Sequence, residues 1–350
     1  MDGRKRRKPA GAEAELEIER IVKHMLRAMD SAVSGLRAHQ QKLDVIGHNI
    51  ANVNTVGYKS QSYTFKDTMY QSATASTNGT TASGGVNAAQ YGYGSLMGTI
   101  SVDMAASTPT YVGGFAACID GEGFFATSTE NKKGGVALGA TAATNSAAVK
   151  GANFDFTRVG NFKVDSEGYI VDGNGNFVYG FRMKEDGTVD TTKLEALRIP
   201  AELTDDGCKI DDVLGSALEA KSIKINKAGN IEATIAVKGP DPTDPTKEIT
   251  TTQTVSIGTV AIITFQNQEG LTKDGSNYYK ASDNDNTGVC SAGVPGEGRA
   301  TLMPGYLEAS NVDMAVEFSE MIMAERGFQA NSKIITVSDE ILSDLINMKR

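Results

Sequence analysis

The chain has no tryptophan, and among its 350 residues only three are histidine (His24, His39, His48) and three cysteine (Cys118, Cys208, Cys290). No two of these share the short spacing of a zinc site, and three dispersed cysteines supply no disulfide framework. Buried free thiols and satisfied structural histidines are the expectation, with no metal and no cofactor. A Gly-x-Ser-x-Gly elbow and a P-loop are missing too. Gly173-x-Gly175 is read inside a hairpin with no following helix, which fails the nucleotide-binding context. Asp283–Gly288 opens like an EF-hand loop, but Val294 stands where the bidentate glutamate belongs, which weighs against calcium. No apolar run approaches the roughly 18 residues of a membrane span. The basic start, Met1–Lys8, leads into Glu13, Glu15, Glu17 and Glu19 rather than the apolar core of a signal peptide. With a net charge of −9, nucleic acid and anionic membranes are poor partners. No residue is singled out as catalytic, and the chain reads as a non-enzyme.

What is present is periodicity at both ends. From Met314, every seventh residue is apolar: Met314, Met321, Phe328, Ile335 and Leu342. The second seam is weaker, with Phe318 and Ile346 fitting and Glu325, Ser332 and Asp339 breaking it. Such a stripe predicts a helix seeking helical partners, about 50 Å long at 1.5 Å per residue. Ser310–Asp313 offers its N-cap. Met29, Leu36, Leu43 and Ile50 repeat in the same way near the start, with Val33, Ile46 and Val53 between them. That second helix is expected from Met25 to about Asn54. Residues 1–24 read as a charged extension, either disordered or a helical lead-in, and Met25 is an alternative start.

Between the ends, abundant glycine, serine and threonine suit a turn-rich β protein. Gln71–Gln90 and Asn131–Gly151 read as soft tracts, the first a mobile loop. Gly123–Thr127, Phe154–Arg158 and Asn161–Val164 read as strands, with hairpin turns at Asp120-Gly121 and Asp172–Gly175. Residues 184–257 read as a hairpin-based insert carrying a stiff linker at Gly239–Thr246. Val255–Phe265 is the most apolar strand candidate and returns the chain to the main body.

The helix exit is Ala51-Asn52-Val53-Asn54-Thr55-Val56-Gly57-Tyr58-Lys59. Read on its residues alone it is a C-cap, because asparagine and glycine accept positive φ. The whole string, with Gly47-x-Asn49-Ile50 before it, resembles the signature of the flagellar axial proteins, the rod and hook family. So do Leu307–Asp313 and the following helix (Met321, Ile322, Glu325, Arg326, Phe328, Gln329, Asn331, Ser332). Ile119–Phe125, Thr157–Phe162 and Phe265–Leu271 look like its β-rich body. The ending, Ser338–Arg350, looks more like a hook than a rod protein.

The resemblance implies an α+β fold. Terminal helices (25–60 and 311–350) would form a coiled-coil end, with a β-rich middle body (61–183 and 258–310) and a smaller β insert (184–257). It implies a structural subunit of the hook, a curved tube that transmits torque from rod to filament. Copies of itself, distal rod and hook–filament junction proteins, a hook cap and the flagellar type III export apparatus would be its partners. That route would deliver it outside the cell without a cleaved signal peptide. A distal rod protein is the alternative within the family, and a secreted adhesin or enzyme the alternative outside it. Met29, Leu36, Leu43, Ile50, Phe318, Met321, Phe328, Ile335, Leu342 and Ile346 are the expected subunit interface. Ala51, Asn52, Thr55, Gly57, Tyr58 and Lys59 are the expected signature that holds the helix exit.

Overall fold

The computed structural model describes residues 10–348 except 80–83, 133, 140, 185–187, 200–201, 205–206, 210–219, 241–247, 283 and 297. Its α-helices are α1 (Ala10–Ala51), α2 (Ala142–Gly151) and α3 (Met314–Met348). The fold is α+β, with terminal helices and a β-rich middle. The chain divides into two compact units. One comprises Met1–Asn52, Gln61–Val102 and Val312–Arg350; the other comprises Val53–Ser60 and Asp103–Asn311.

In the helical unit, α1 already runs from Ala10, so the described part of the charged extension is its first turns, in keeping with an Ala/Glu-rich sequence of high helix propensity. It stops at Ala51 rather than near Asn54, because the Asn52 side chain turns back and donates to His48 O at 2.9 Å. α1 and α3 pack antiparallel: Lys42 pairs with Glu320 (3.1 Å), while Asn49, further along α1, donates to Glu317, earlier on α3 (2.8 Å). Two paired ribbons complete the unit. β1 (Gln61–Asp67) pairs with β4 (Ser95–Val102), and inside that ribbon β2 (Tyr70–Thr74) pairs with β3 (Ala89–Gly92). The described part of the tract expected as a mobile loop is therefore a hairpin, extended by a Thr77–Val86 bridge. Ribbon pairing satisfies the backbone without a core, and serine and threonine tolerate strands, so polarity alone misread it.

The second unit is built on a large antiparallel sheet. Along its main path, Ala220–Ile225, Asn230–Pro240, Glu248–Val260, Phe177–Arg182, Phe124–Ser128, Asp155–Thr157, Tyr278–Lys280 and Thr272–Gly275 follow one another. The described strands of residues 220–257, expected within the smaller insert, thus share this sheet with strands expected in the body. Side chains alternate across a strand, and here both faces are covered. Phe125, Val178, Val260 and Ile262 enter one apolar cluster, while their neighbours Phe124, Tyr179, Ala261 and Ile263 enter the other. The expected tract Asn131–Gly151 contains α2, closed by a Thr141/Thr144 capping box and rich in alanine, and its Val149 is buried in the second cluster.

Asp120-Gly121 is not a hairpin turn. Gly121 and Gly123 take φ of 125° and 141°, so Ala117–Asp120 goes to Thr301–Pro304 while Phe124–Ser128 enters the large sheet. Asp172–Gly175 does close a hairpin, pairing Val171 with Phe177. The EF-hand-like stretch begins at Asp283, outside the described residues. Its Asp285 is occupied locally, accepting from Ser282 N, Thr287 N and the Thr287 hydroxyl and pairing with Lys150.

Gly160 brings two segments into contact. A Cβ there would lie 1.8 Å from Ala117 O, where Ala117 N also bonds Gly160 O at 2.9 Å. Gly173 has nothing within 4 Å of such a Cβ. Gly160→Ala should therefore lower unfolding stability by about 1–3 kcal/mol or more, as overpacking does. Gly173→Ala should be close to neutral; urea unfolding of the two variants checks both.

Candidate assembly site

Small residues are among the buried positions of α1 and α3: Ala32, Gly35, Ala38, Ala324 and Ser338, with Val45 and Ile46 nearer the end of α1. Two glycines sit opposite two polar side chains. A Cβ on Gly35 would meet the Asn331 amide at 2.7 Å, and one on Gly327 would meet the His39 ring at 2.5 Å. Gly35 and His39 are four residues apart on α1, as are Gly327 and Asn331 on α3, so each helix presents one notch and one key. Close backbone approach brings contact, but alanine and glycine remove little apolar area from water.

The ten expected interface residues divide accordingly. Met29, Leu36, Leu43 and Ile50 on α1 and Met321, Ile335 and Leu342 on α3 are half-buried. Phe318, Phe328 and Ile346 are 45 %, 37 % and 65 % exposed. With Val316, Ile322, Met323, Ile334 and Ile341, also exposed, they give α3 a broad apolar surface that the single chain leaves uncovered. On soluble proteins such patches mark interaction sites.

The signature lies where α1 ends. Ala51 is exposed at the helix terminus, and Asn52 caps it as described. Thr55 O accepts from Tyr58 N at 3.3 Å. Gly57 has φ of 69° and donates to Glu308 O at 2.8 Å, and a Cβ there would press on Val159 at 2.9 Å. Tyr58 is buried, with Lys273 Nζ 4.8 Å from its ring centroid. Lys59 is completely buried. Its Nζ donates to Glu308 Oε1 (2.7 Å) and to Ala105 O (2.6 Å). Burial pulls its ammonium below the ordinary lysine value, and Glu308 opposes this.

Glu308 Oε1 also accepts from Ser107 N at 3.2 Å, and Arg158 Nη1 lies 3.6 Å from Oε2. Asn311 adds a second tie: its Oδ1 accepts from Ser60 N (2.7 Å) and its Nδ2 donates to Asp103 O (3.0 Å). Three motifs quoted from the sequence, around Lys59, Arg158 and Glu308, therefore meet in one buried cluster. Only Lys59 was among the expected site residues. Arg158, Glu308, Asn311, His39 and Asn331 were not, although a charge embedded among apolar neighbours was the available signal for the first two. Among the described residues no group of acidic, histidine and cysteine side chains could hold a metal ion, and no helix is long and apolar enough to cross a membrane. Cys118 and Cys290 are buried free thiols, and burial pushes Cys118 up to about 11.

A helix pair with glycine notches and exposed large apolar side chains on α3, in a chain whose β unit holds a buried charge cluster, has the features of a structural assembly subunit. Comparison with known proteins agrees. Residues 29–59 match the model of the flagella basal body rod protein family. Residues 148–233 match that of the flagellar hook protein FlgE/F/G D1 domain, and 303–348 that of the flagellar basal body rod FlgEFG protein C-terminal region. The flagellar basal-body rod protein FlgG of Bacillus subtilis (strain 168) is 37 % identical, over 93 % of this chain and 100 % of its own length. The flagellar hook protein FlgE of Borreliella burgdorferi is 25 % identical over 93 % of this chain and 100 % of its own, and FlgG of Caulobacter vibrioides 28 % over 91 % and 97 %. The chain belongs to the flagellar rod and hook axial protein family, which is structural rather than enzymatic.

Two outcomes follow from this geometry. Gly327→Ala should destabilise the helical unit, and His39→Ala should relieve much of that loss, giving a coupling within about 0.5–3 kcal/mol in a double-mutant cycle followed by circular dichroism. Glu308→Gln leaves Lys59 buried without its counter-charge and should cost about 3–5 kcal/mol in urea unfolding.

Proposed function

We propose that this chain is a subunit of the distal flagellar rod, polymerising with copies of itself into a shaft that carries torque outward. The observation that carries this reading is its end-to-end match, at 37 % identity, with a rod protein covered over its whole length. The hook alignments spread over 466 and 487 positions for the same 93 % of the chain, so those relatives carry long segments absent here. That the described strands of residues 220–257 share the main sheet supports a rod subunit over a hook with a separate insert.

The geometry supplies a mechanism. An open helical polymer needs heterologous contacts, one patch against a different patch on the next copy. The uncovered apolar face of α3 is a non-directional surface for such a contact, with Phe318, Phe328 and Ile346 as anchors. The half-buried residues Met29, Leu36, Leu43, Ile50, Met321, Ile335 and Leu342 would be covered further in the polymer. Within the β unit, Lys59, Glu308 and Asn311 tie together the chain segments that follow α1 and precede α3. Export through the flagellar type III apparatus and contact with the adjoining rod and hook proteins complete this reading. A hook subunit is the second reading, favoured by the ending Ser338–Arg350; its junction and cap partners would then apply.

Deletion of the coding gene separates the two. Basal bodies that end in a truncated rod are the outcome expected for a distal rod subunit, visible by electron microscopy of purified particles. A complete rod without a hook would select the hook reading, and intact hooks would exclude both.

A further inference from the structure

The two notches between α1 and α3 share a shape and differ in chemistry. Asn331 fills the space left by Gly35 with an amide, which does not titrate. His39 fills the space left by Gly327 with an imidazole, whose charge changes near neutrality. The His39 Nδ1 is buried and has no hydrogen-bond partner among the described residues. A neutral ring tolerates this, because with its proton on Nε2 it leaves only a lone pair at Nδ1. An imidazolium must place an N–H there with no acceptor, and a charge inside the notch.

The groups around the ring give that charge no counterpart. On α1, the Lys42 ammonium is the nearby charge; it pairs with Glu320 (3.1 Å) and lies 5.8 Å from the Phe65 ring centroid. On β1, Phe65 stands 5.2 Å from His39, centroid to centroid, so the aromatic face that could stabilise an imidazolium already carries a cation. Tyr63 packs on Phe65, and burial pushes its phenol up, so it stays neutral. The neighbouring strand β4 has no ionisable side chain. On α3, the ring meets Gly327. The acids of that helix nearest in sequence are engaged elsewhere: Glu317 with Asn49, Glu320 with Lys42, and Glu325 with Gln329 Nε2 at 3.0 Å. Arg326 donates to Gln329 Oε1 at 3.3 Å. Burial, with Lys42 second, draws the His39 imidazole below its ordinary value of 6.5.

We propose that the His39–Gly327 notch is a pH-sensitive latch on the helix pair, closed while the ring is neutral and loosened when acid protonates it. The Gly35–Asn331 notch is its pH-indifferent counterpart. Folding favours the neutral ring, so the latch contributes fully above pH 6.5, where the ring is neutral folded or unfolded. Its contribution is lost as pH falls through 6.5 towards the lower folded value. The inference concerns the single chain and is independent of what that chain assembles into.

The test is thermal unfolding of the full chain by circular dichroism at constant ionic strength, from about pH 8 to about pH 5.5. Wild-type Tm should hold steady down to about pH 7 and then fall. His39→Asn, which places an amide in both notches, should remove the larger part of that fall, whatever its Tm at pH 8. Curves for the two proteins that run parallel across the range would mean a merely structural histidine and overturn the proposal. Should His39→Asn not fold, the wild-type ring decides by itself. Its histidine resonances, assigned in a ring-labelled sample through His39→Gln, should titrate below pH 6.5 for His39. A midpoint at or above that value sinks the latch.

Discussion

A lysine ammonium and a glutamate carboxylate, neither reached by water, hold together the parts of the β unit from which the helical segments depart. Lys59 follows the exit of α1, and Glu308 precedes the entry to α3. Their 2.7 Å contact, with Ala105 O and Ser107 N as further partners, joins segments about 250 residues apart in sequence. Such a pair contributes little net stability over an apolar contact of the same shape, yet breaking it is costly. Its effect is on specificity. Alternative packings that separate the two charges are penalised, so these segments have one arrangement. The ordering of Gly57, Tyr58 and Asn311 around them depends on that choice.

The helices follow a different economy. Where α1 meets α3, two polar groups lie in glycine notches, which fixes register through shape rather than through buried area. The larger apolar side chains of α3 are left facing outward. A monomer built for its own stability would turn Phe318, Ile322 and Ile346 inward; here they stay exposed.

The periodic ends were legible because a sustained seven-residue apolar repeat has few readings other than a helix, and both helices appear. Which residues close the seam was not legible. Heptad reading favours Leu, Ile and Met, whereas the close approach here is at Gly35 and Gly327, residues that carry almost no hydropathy signal. Strands such as Phe124–Ser128 were readable from their apolar runs, while the Thr/Ser hairpin of β2 and β3 was not, since its pairing satisfies backbone groups without burying side chains. Arg158 and Glu308 stood inside quoted motifs, but their partnership spans 150 residues and only the folded chain brings them together. Residues 222–226, 231–237 and 255–265 were read as strands, and their membership in the main sheet required the register between Phe181 and Thr259.

The sheet also determines how the chain reaches this state. Phe124–Ser128, at its centre, pairs with Asp155–Thr157, with Phe177–Arg182 and with Ile262–Phe265, and the last of these in turn with Cys290–Gly293. Most of these partners are distant in sequence, so the entropy of closing large loops is lost before the pairings return any favourable energy. Topologies of this kind fold slowly. A newly made chain of this topology therefore takes longer to reach its compact state than one built from local contacts.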